Sequence, residues 1–130
     1  MSKRAIIPAA MVSINDEWHM SPGLECDGFV FLTGFNGASL DGHVSSDARE
    51  QIETAFSQVD LVLKEGGLTF NDVVEVTSYH IGLKQHLDSF RKIWEQYVSP
   101  PYPAWTAIEV AGFVTEDVIV ELRVIARRAD

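Results

Sequence analysis

The fold is decided by two neighbouring stretches, Pro100-Pro-Tyr-Pro-Ala-Trp-Thr-Ala-Ile-Glu-Val110 and Val118-Ile-Val-Glu-Leu-Arg-Val-Ile-Ala126, which predict two β-strands joined by a short loop. In the second stretch every even-numbered residue is apolar, whereas the odd-numbered residues include Glu121 and Arg123. This period of two predicts a strand with one face packed against helices and the other face open. Glu121 and Arg123 lie about 6–7 Å apart along the open face. We therefore expect any functional site at that face and at the strand ends.

The length and composition are those of one globular domain. The chain has 130 residues, 46% hydrophobic and 22% charged, so residues 1–130 are predicted to form a single domain with a substantial core. No apolar run reaches the roughly 18 residues of a membrane helix, and residues 1–10 lack the apolar segment of a signal peptide. We expect a cytoplasmic protein without membrane contacts. Cys26 is the single cysteine, which excludes an internal disulfide.

The charge and the histidines argue against several classes of ligand. The formal net charge is −9, and the ten Lys and Arg residues are scattered except at Arg127-Arg128. Nucleic-acid binding depends on clustered cations that neutralise phosphates, so RNA or DNA is a disfavoured partner. The four histidines have no metal-ligand spacing, and His80 near a strand end is better interpreted as structural. The sequence therefore indicates neither a metal nor a cofactor.

Hydrophobic periodicity and turn residues place the other elements. One helix is predicted to begin at the capping residue Asp47, with Glu50 three positions later, and to end at Gly66-Gly67. A second helix runs through residues 87–98 and ends before two prolines. The other predicted segments are strands at 29–33 and 73–81, a candidate edge strand at 3–8 and a loop at 34–42.

This order of elements predicts an α+β fold with two helices on one face of a mixed sheet. Two helices cover one sheet face only, so the other face would expose Trp105, Ile119 and Ile125. An exposed apolar patch of that size is typical of an interface. Self-association into a closed ring would cover it, and we expect a homo-oligomer rather than a monomer.

Between residues 21 and 127 the chain resembles the RidA/YjgF family, also called the L-PSP or reactive-intermediate-deaminase family. The resemblance is carried by five segments in order: Phe29-Val-Phe-Leu-Thr-Gly34, Gly66-Gly-Leu68, Asp72-Val-Val-Glu-Val-Thr77, Tyr102-Pro-Ala-Trp-Thr-Ala-Ile-Glu-Val110 and Val120-Glu-Leu-Arg-Val-Ile-Ala126. It implies a chorismate-mutase-like fold and a homotrimer with ligand sites in the clefts between subunits. It also implies cofactor-independent hydrolysis of enamines and imines, which releases a 2-oxo acid and ammonia.

The sequence departs from the family at the substrate pocket. In relatives, an arginine after Pro-Ala pairs bidentately with the substrate carboxylate, a geometry that other side chains do not reproduce. Here that position is Trp105, followed by Thr106, and an indole offers one N–H and no charge. Met20, before Ser21, replaces a pocket tyrosine, and Phe90 replaces a pocket asparagine. The resemblance thus implies a substrate-binding cleft that is more apolar than usual.

Several residues keep two interpretations. Glu121 matches the family's water-activating glutamate, although the residues alone favour an ion pair with Arg123. Arg123 is either an inherited anion site or a structural partner of Glu121 or Glu109. Trp105 is either a pocket wall that stacks on a planar ligand or interface packing. The helical spacing of Phe90 favours the core.

Two functions from different classes follow. The leading hypothesis is a RidA-like deaminase or hydrolase of a small imine, enamine or related metabolite, in which Glu121 handles water or a proton. The alternative is a non-catalytic small-molecule-binding or regulatory trimer, since the carboxylate-binding arginine is replaced. The ribonuclease activity attached to some family names conflicts with the acidic charge.

Overall fold

The chain is described over residues 2–130 by a computed structural model, in which seven strands form one mixed sheet. In chain order, β1 to β7 span Lys3–Ile6, Gly23–Cys26, Phe29–Leu32, Phe35–Asn36, Val73–His80, Ala104–Glu109 and Val120–Arg127. The helices α1 to α3 span Val12–Asp16, Ala48–Glu65 and Leu83–Tyr97. The predicted α+β class is confirmed. The short helix α1 and the strand β2 are additions that the sequence pattern did not indicate, and β4 lies within the segment 34–42 that was predicted as a loop.

β7 lies at the centre of the sheet. The strand order is β1-β2-β3-β7-β5-β6, and β7 is antiparallel to both β3 and β5 while also pairing with the two-residue β4. β5 and β6 are parallel, and α3 makes the crossover that parallel neighbours require. The alternation read from the sequence holds, since Val120, Leu122, Val124 and Ala126 are all buried. Glu121 is consequently held on the opposite, open face.

The helix α2 begins and ends where its cap residues predict. The Asp47 carboxylate accepts a hydrogen bond from the Arg49 amide at 3.0 Å, and the Gly66 amide donates back to the last-turn carbonyls. The Glu50 carboxylate accepts from the Ser45 hydroxyl at 3.2 Å, so the reciprocal half of a capping box is replaced by this contact. The buried apolar residues of α2 are Ile52, Ala55, Phe56, Val59, Val62 and Leu63.

The helix α3 begins four residues earlier than its apolar pattern predicts. Its N-terminal position is Gly82, in the left-handed conformation with φ of 70°. The Glu109 carboxylate accepts from the Gly82 and Leu83 amides at 2.9 and 2.8 Å. The cap is therefore supplied from the end of β6 rather than by the helix's own first residues, which explains why the local sequence did not mark the start.

The open face of the sheet carries exposed apolar side chains. Phe29, Phe31 and Ile108 keep 39%, 42% and 41% of their surface accessible. On β3 the alternate residues Val30 and Leu32 are buried, and on β6 the alternate residues Trp105 and Ala107 are half-buried. Within residues 2–130, no helix is both long and apolar enough to cross a membrane.

Candidate functional site

Glu121 lies in a cavity of about 290 Å³ on the open face of the sheet. β7 places it opposite Tyr79 of β5 and Asn36 of β4, two residues before Arg123 on the same face. The cavity is lined by Leu32, Thr33, Gly34, Tyr79, Glu121 and Arg123. The structure thus brings together the two charged residues that the strand alternation singled out.

Gly34 allows the Glu121 side chain to cross the backbone between β3 and β4. A Cβ built on Gly34 would lie 2.5 Å from Glu121 Oε2 and 3.0 Å from its carboxyl carbon. No side chain larger than hydrogen fits there without moving the carboxylate. The glycine that ends the Phe29-Val-Phe-Leu-Thr run is therefore a site residue, and the signal that could have identified it is its place directly after a buried strand.

The surroundings of Glu121 favour its protonated form more than water does. The side chain is half-buried, and desolvation raises the pKa of its carboxyl above the ordinary value. Among residues 2–130, no hydrogen bond or salt bridge joins Glu121 to Arg123, and Arg123 is exposed. Glu109, the other partner considered for Arg123, is bound to the N-terminus of α3. A single chain thus presents a carboxyl group and a guanidinium that do not neutralise each other.

The expectation that Trp105 lies on the uncovered face of the sheet is wrong: its ring packs under α3 on the opposite face, against Phe90 and Trp94. Its ring stacks on Phe90 and Trp94 with centroid distances of 5.2 Å each and interplanar angles of 21° and 29°. Its Nε1–H donates to Ser78 Oγ at 2.8 Å. Phe90 is fully buried between Trp105 and the helix α2 residue Phe56. Within one chain, Trp105 and Phe90 pack against each other and lie apart from Glu121.

A buried hydrogen-bonded chain extends from Trp105 through Ser78 and His80 to His86. Ser78 Oγ lies 2.6 Å from His80 Nε2, and His80 Nδ1 lies 2.9 Å from His86 Nε2. The indole N–H can only donate, and a buried hydroxyl needs an acceptor, so Ser78 donates to His80 and His80 donates to His86. This direction requires both imidazoles to be neutral. Burial, with the nearby His86, lowers the pKa of His80 to about 4, and burial also lowers the pKa of His86.

The remaining predicted residues lie near the Glu121 cavity or on its face. Met20 is exposed, and its Sδ accepts from the hydroxyl of Thr33 at 3.6 Å, so it adjoins the cavity wall. Ser21 is half-buried one residue later. Thr106 lies on the open face of β6 in register with Thr77 of β5. Thr33, Gly34 and Tyr79 line the cavity but were not predicted, because only the pairing of β4, β5 and β7 brings them to Glu121.

Metal binding has no structural support in the part of the chain that is described. Between residues 2 and 130, no three His, Cys, Asp or Glu side chains converge as a metal site would require. His80 and His86 lie close together but are committed to the hydrogen-bonded chain under α3.

Comparisons with known proteins agree with this architecture. A family model described as Endoribonuclease L-PSP matches residues 12–128. The RutC family protein YjgH of Escherichia coli K12 is 30% identical over 98% of this chain and 96% of its own length. The RutC family protein PYRAB12510 of Pyrococcus abyssi is 35% identical over 82% of this chain and 84% of its own.

Solved structures show the same fold. A structure of protein YjgH matches with a TM-score of 0.87 at 29% identity, over 100% of this chain and 99% of the other. Rv2704 of Mycobacterium tuberculosis, described as a member of the YjgF/YER057c/UK114 family, matches with a TM-score of 0.81 over 97% and 99% of the two chains. At 17% identity, the second likeness shows the fold alone.

Proposed function

The chain belongs to the RidA/YjgF (L-PSP) family, and we propose that it is a cofactor-independent deaminase that hydrolyses a small imine, enamine or related metabolite. The observation that carries the proposal is the carboxyl group of Glu121, half-buried in an open-face cavity above the Gly34 backbone. Burial raises its pKa, which makes the carboxylate a stronger base than an exposed glutamate. A carboxylate of that kind, in a cavity of small-ligand size, is suited to proton transfer.

The reaction needs one base that also returns a proton. Ionised Glu121 accepts a proton from water as the water oxygen forms a bond to the carbon of the C=N group. The same proton passes from Glu121 to the nitrogen, which gives a carbinolamine. Glu121 then takes the proton of the carbinolamine hydroxyl group and returns it to the nitrogen, so that ammonia leaves as the C–N bond breaks and the C=O bond forms. The sum is imine plus water to 2-oxo acid plus ammonia, with no oxidant, reductant or metal needed.

The substrate carboxylate requires a different partner from the one that relatives use. The family's arginine position holds Trp105, whose ring is stacked on Phe90 and Trp94 and whose N–H is bound to Ser78. Arg123 lines the Glu121 cavity instead. We assign Arg123 the role of binding the substrate carboxylate, for which a guanidinium fork is suited.

The active assembly that we propose is a cytoplasmic homotrimer whose subunits border each other's cavities. The exposed Phe29, Phe31 and Ile108 supply the apolar surface that such contacts would bury. A neighbouring subunit over the open face would narrow the cavity and exclude water from Glu121, which strengthens its interactions with a charged substrate.

The test is the release of ammonia and 2-oxo acid from freshly generated 2-iminopropionate and 2-iminobutyrate. We expect the wild-type protein to accelerate both reactions and Glu121→Gln to lower kcat by about 10²-fold or more. Arg123→Gln should raise KM more than it lowers kcat, because it removes binding to the carboxylate rather than to the reacting carbon.

The matched control is Glu116→Gln, which removes an exposed carboxylate from the loop before β7 and should leave both constants unchanged. Unchanged turnover in Glu121→Gln would exclude Glu121 as the base.

The alternative function, a non-catalytic small-molecule-binding or regulatory trimer, is favoured by one observation. The position of the carboxylate-binding arginine is filled by a packed tryptophan, so this chain lacks the group that orients the substrate in active relatives. Ligand binding that raises the melting temperature with no product formed would support it. Cleavage of RNA, the activity in the name of the family model, is disfavoured by the net charge of −9.

A further inference from the structure

The buried hydrogen-bonded chain under α3 joins three elements of the fold. Trp105 belongs to β6, Ser78 and His80 to β5, and His86 to α3. Its three links measure 2.8, 2.6 and 2.9 Å in that order. The chain therefore fastens α3 and β6 to the interior of the sheet. The cavity around Glu121 is lined by other residues, so the proposed reaction gives these four side chains no role.

The two ends of this chain differ in what they can do. The indole N–H of Trp105 has no acceptor, so it donates to Ser78 Oγ at every pH. His86 lies in the first turn of α3 and keeps 6% of its surface exposed, whereas His80 and Ser78 keep none. A proton from solvent can therefore reach the chain at His86. One end is a fixed donor, and the other end titrates.

A proton on the histidine pair conflicts with the neutral arrangement, whichever ring carries it. If His80 carries it, both of its nitrogens donate, and Nε2–H faces Ser78 Oγ. If His86 carries it, its Nε2–H faces His80 Nδ1, so His80 must hold its own hydrogen on Nε2, which again faces Ser78. The hydroxyl then receives two N–H donors, and its own hydrogen loses its acceptor. Within residues 2–130, the hydrogen-bond partners of Ser78 Oγ are Trp105 and His80 alone, and an unpaired buried donor is costly.

The charged group that acts on both imidazoles is Glu109, at the end of β6. Its carboxylate accepts from the Leu83 and Gly82 amides, and these hydrogen bonds lower its pKa, so it stays ionised while the histidines begin to take up a proton. Its attraction only partly offsets the burial of the rings. The charged neighbours of His86 on α3, Lys84 and Asp88, are exposed. The residues beside the chain on α3, α2 and β7 are apolar: Phe90, Phe56, Val120 and Leu122.

We propose that His80 and His86 form an acid-operated latch: uptake of one proton by the pair releases the hydrogen bond from Trp105 to Ser78 and loosens the packing of α3 against β6. Burial, with the nearby His86, lowers the pKa of His80 to about 4, and burial lowers the pKa of His86 as well. The folded chain thus binds the proton less tightly than the unfolded chain. The stability that the neutral pair contributes is present above the ordinary histidine pKa of 6.5 and is lost as the pH falls toward about 4. The latch does not depend on the role assigned to Glu121.

The test follows hydrogen exchange of the Trp105 indole N–H by NMR, with the resonance assigned from its loss in Trp105→Phe. Dividing its rate by that of the Trp18 indole, which is 70% exposed, cancels the intrinsic effect of pH on exchange. We expect this ratio to rise by about tenfold or more between pH 7 and pH 4.5, because an unpaired buried donor shifts the opening equilibrium by at least that factor. The backbone amides of α2 and β7 should stay protected. Simultaneous loss of their protection would overturn the proposal, since the transition would then be global unfolding.

Three variants separate the latch from a general effect of acid. Ser78→Ala keeps both imidazoles but removes the link, so the ratio should be high at pH 7 and no longer change. The double variant His80→Gln with His86→Gln removes both titrating groups and should keep the ratio low at both pH values; if it fails to fold, Ser78→Ala and wild type decide. The control is His43→Gln, at an exposed turn, which should behave as wild type does. A constant ratio in wild type, or the wild-type change in Ser78→Ala, would overturn the proposal.

Discussion

Glu121 combines two properties that oppose each other. It lies on the open face of a central strand, yet the Gly34 backbone and the neighbouring strands leave it half-buried. No ion pair in residues 2–130 offsets the loss of water around its carboxylate. A desolvated carboxylate lowers the stability of the folded protein and is at the same time a stronger base. Both effects are typical of a site of proton transfer.

Glu121→Gln should therefore make the protein more stable near neutral pH, by about 1 kcal/mol. The folded-state pKa is raised, so the folded form binds the proton more tightly than the unfolded form, and wild type loses stability as the pH rises through the ordinary glutamate range. The difference between variant and wild type should be largest at pH 7 and small below pH 4. Urea unfolding at both pH values measures it. A variant less stable than wild type at pH 7 would show that the carboxylate has a stabilising partner in the assembly.

Among the elements, α3 and β6 behave as one unit. The Phe90, Trp94 and Trp105 rings stack between them, and Glu109 of β6 caps the first turn of α3. The hydrogen-bonded chain from Trp105 to His86 satisfies the polar groups beneath that layer. At the position where the family resemblance implies an arginine, this chain has a packed and hydrogen-bonded layer.

Trp105→Arg should accordingly destabilise the protein rather than restore the family pocket. The change removes ring packing, leaves Ser78 without its indole partner and places a charge next to neutral imidazoles, so we expect a loss of about 3 kcal/mol or more. Trp105→Phe, which keeps a ring but not the N–H, should cost about 1–2 kcal/mol. Urea unfolding of the three proteins tests this order. A Trp105→Arg protein that is as stable as wild type and turns over imines would contradict this prediction. It would mean that the packing between α3 and β6 readily accommodates an arginine side chain.

The boundary of a helix or strand can be predicted from the sequence only where the residues that determine it are close to it in the chain. The α2 boundaries were predicted because Asp47 and Gly66 act within one turn of their own helix. The start of α3 was not, because Glu109 provides the cap from 27 residues away. The open and buried faces of β7 follow from alternation alone, but the partners of Glu121 in the cavity depend on strand pairing that no single stretch encodes.

The same distinction applies to the candidate site. Glu121 and Arg123 could be predicted to share a face, since they are two residues apart on one strand. That Trp105 lies under α3 on the opposite face required knowledge of which side of β6 faces the helices.

At the scale of the whole molecule, the open face of the sheet exposes large apolar side chains. Phe29 and Phe31 lie on β3, and their ring centroids are 6.3 Å apart. Ile108 lies on the same face, on the edge strand β6. The helices already cover the opposite face, so further burial of this surface needs another chain. Together with the family membership, this supports the proposed homotrimer.

Phe31→Asp should dissociate that assembly. A buried carboxylate at a subunit contact costs several kcal/mol unless it is paired, so we expect the sedimentation mass to fall from three times 14.5 kDa to a single subunit. The control is Val114→Asp, which adds the same charge at a fully exposed loop position and should leave the mass unchanged. A single-subunit mass for wild type at micromolar concentration would contradict the proposed assembly.

The central position of β7 also has a consequence for how the protein is made. This strand is the last element in chain order, yet it joins β3 to β5 in the middle of the sheet. During synthesis, β3 and β5 leave the ribosome before the strand that pairs with both, and each then presents an unpaired edge. The sheet closes only when β7 enters between them, so until then both edges are open to pairing with another copy of the chain.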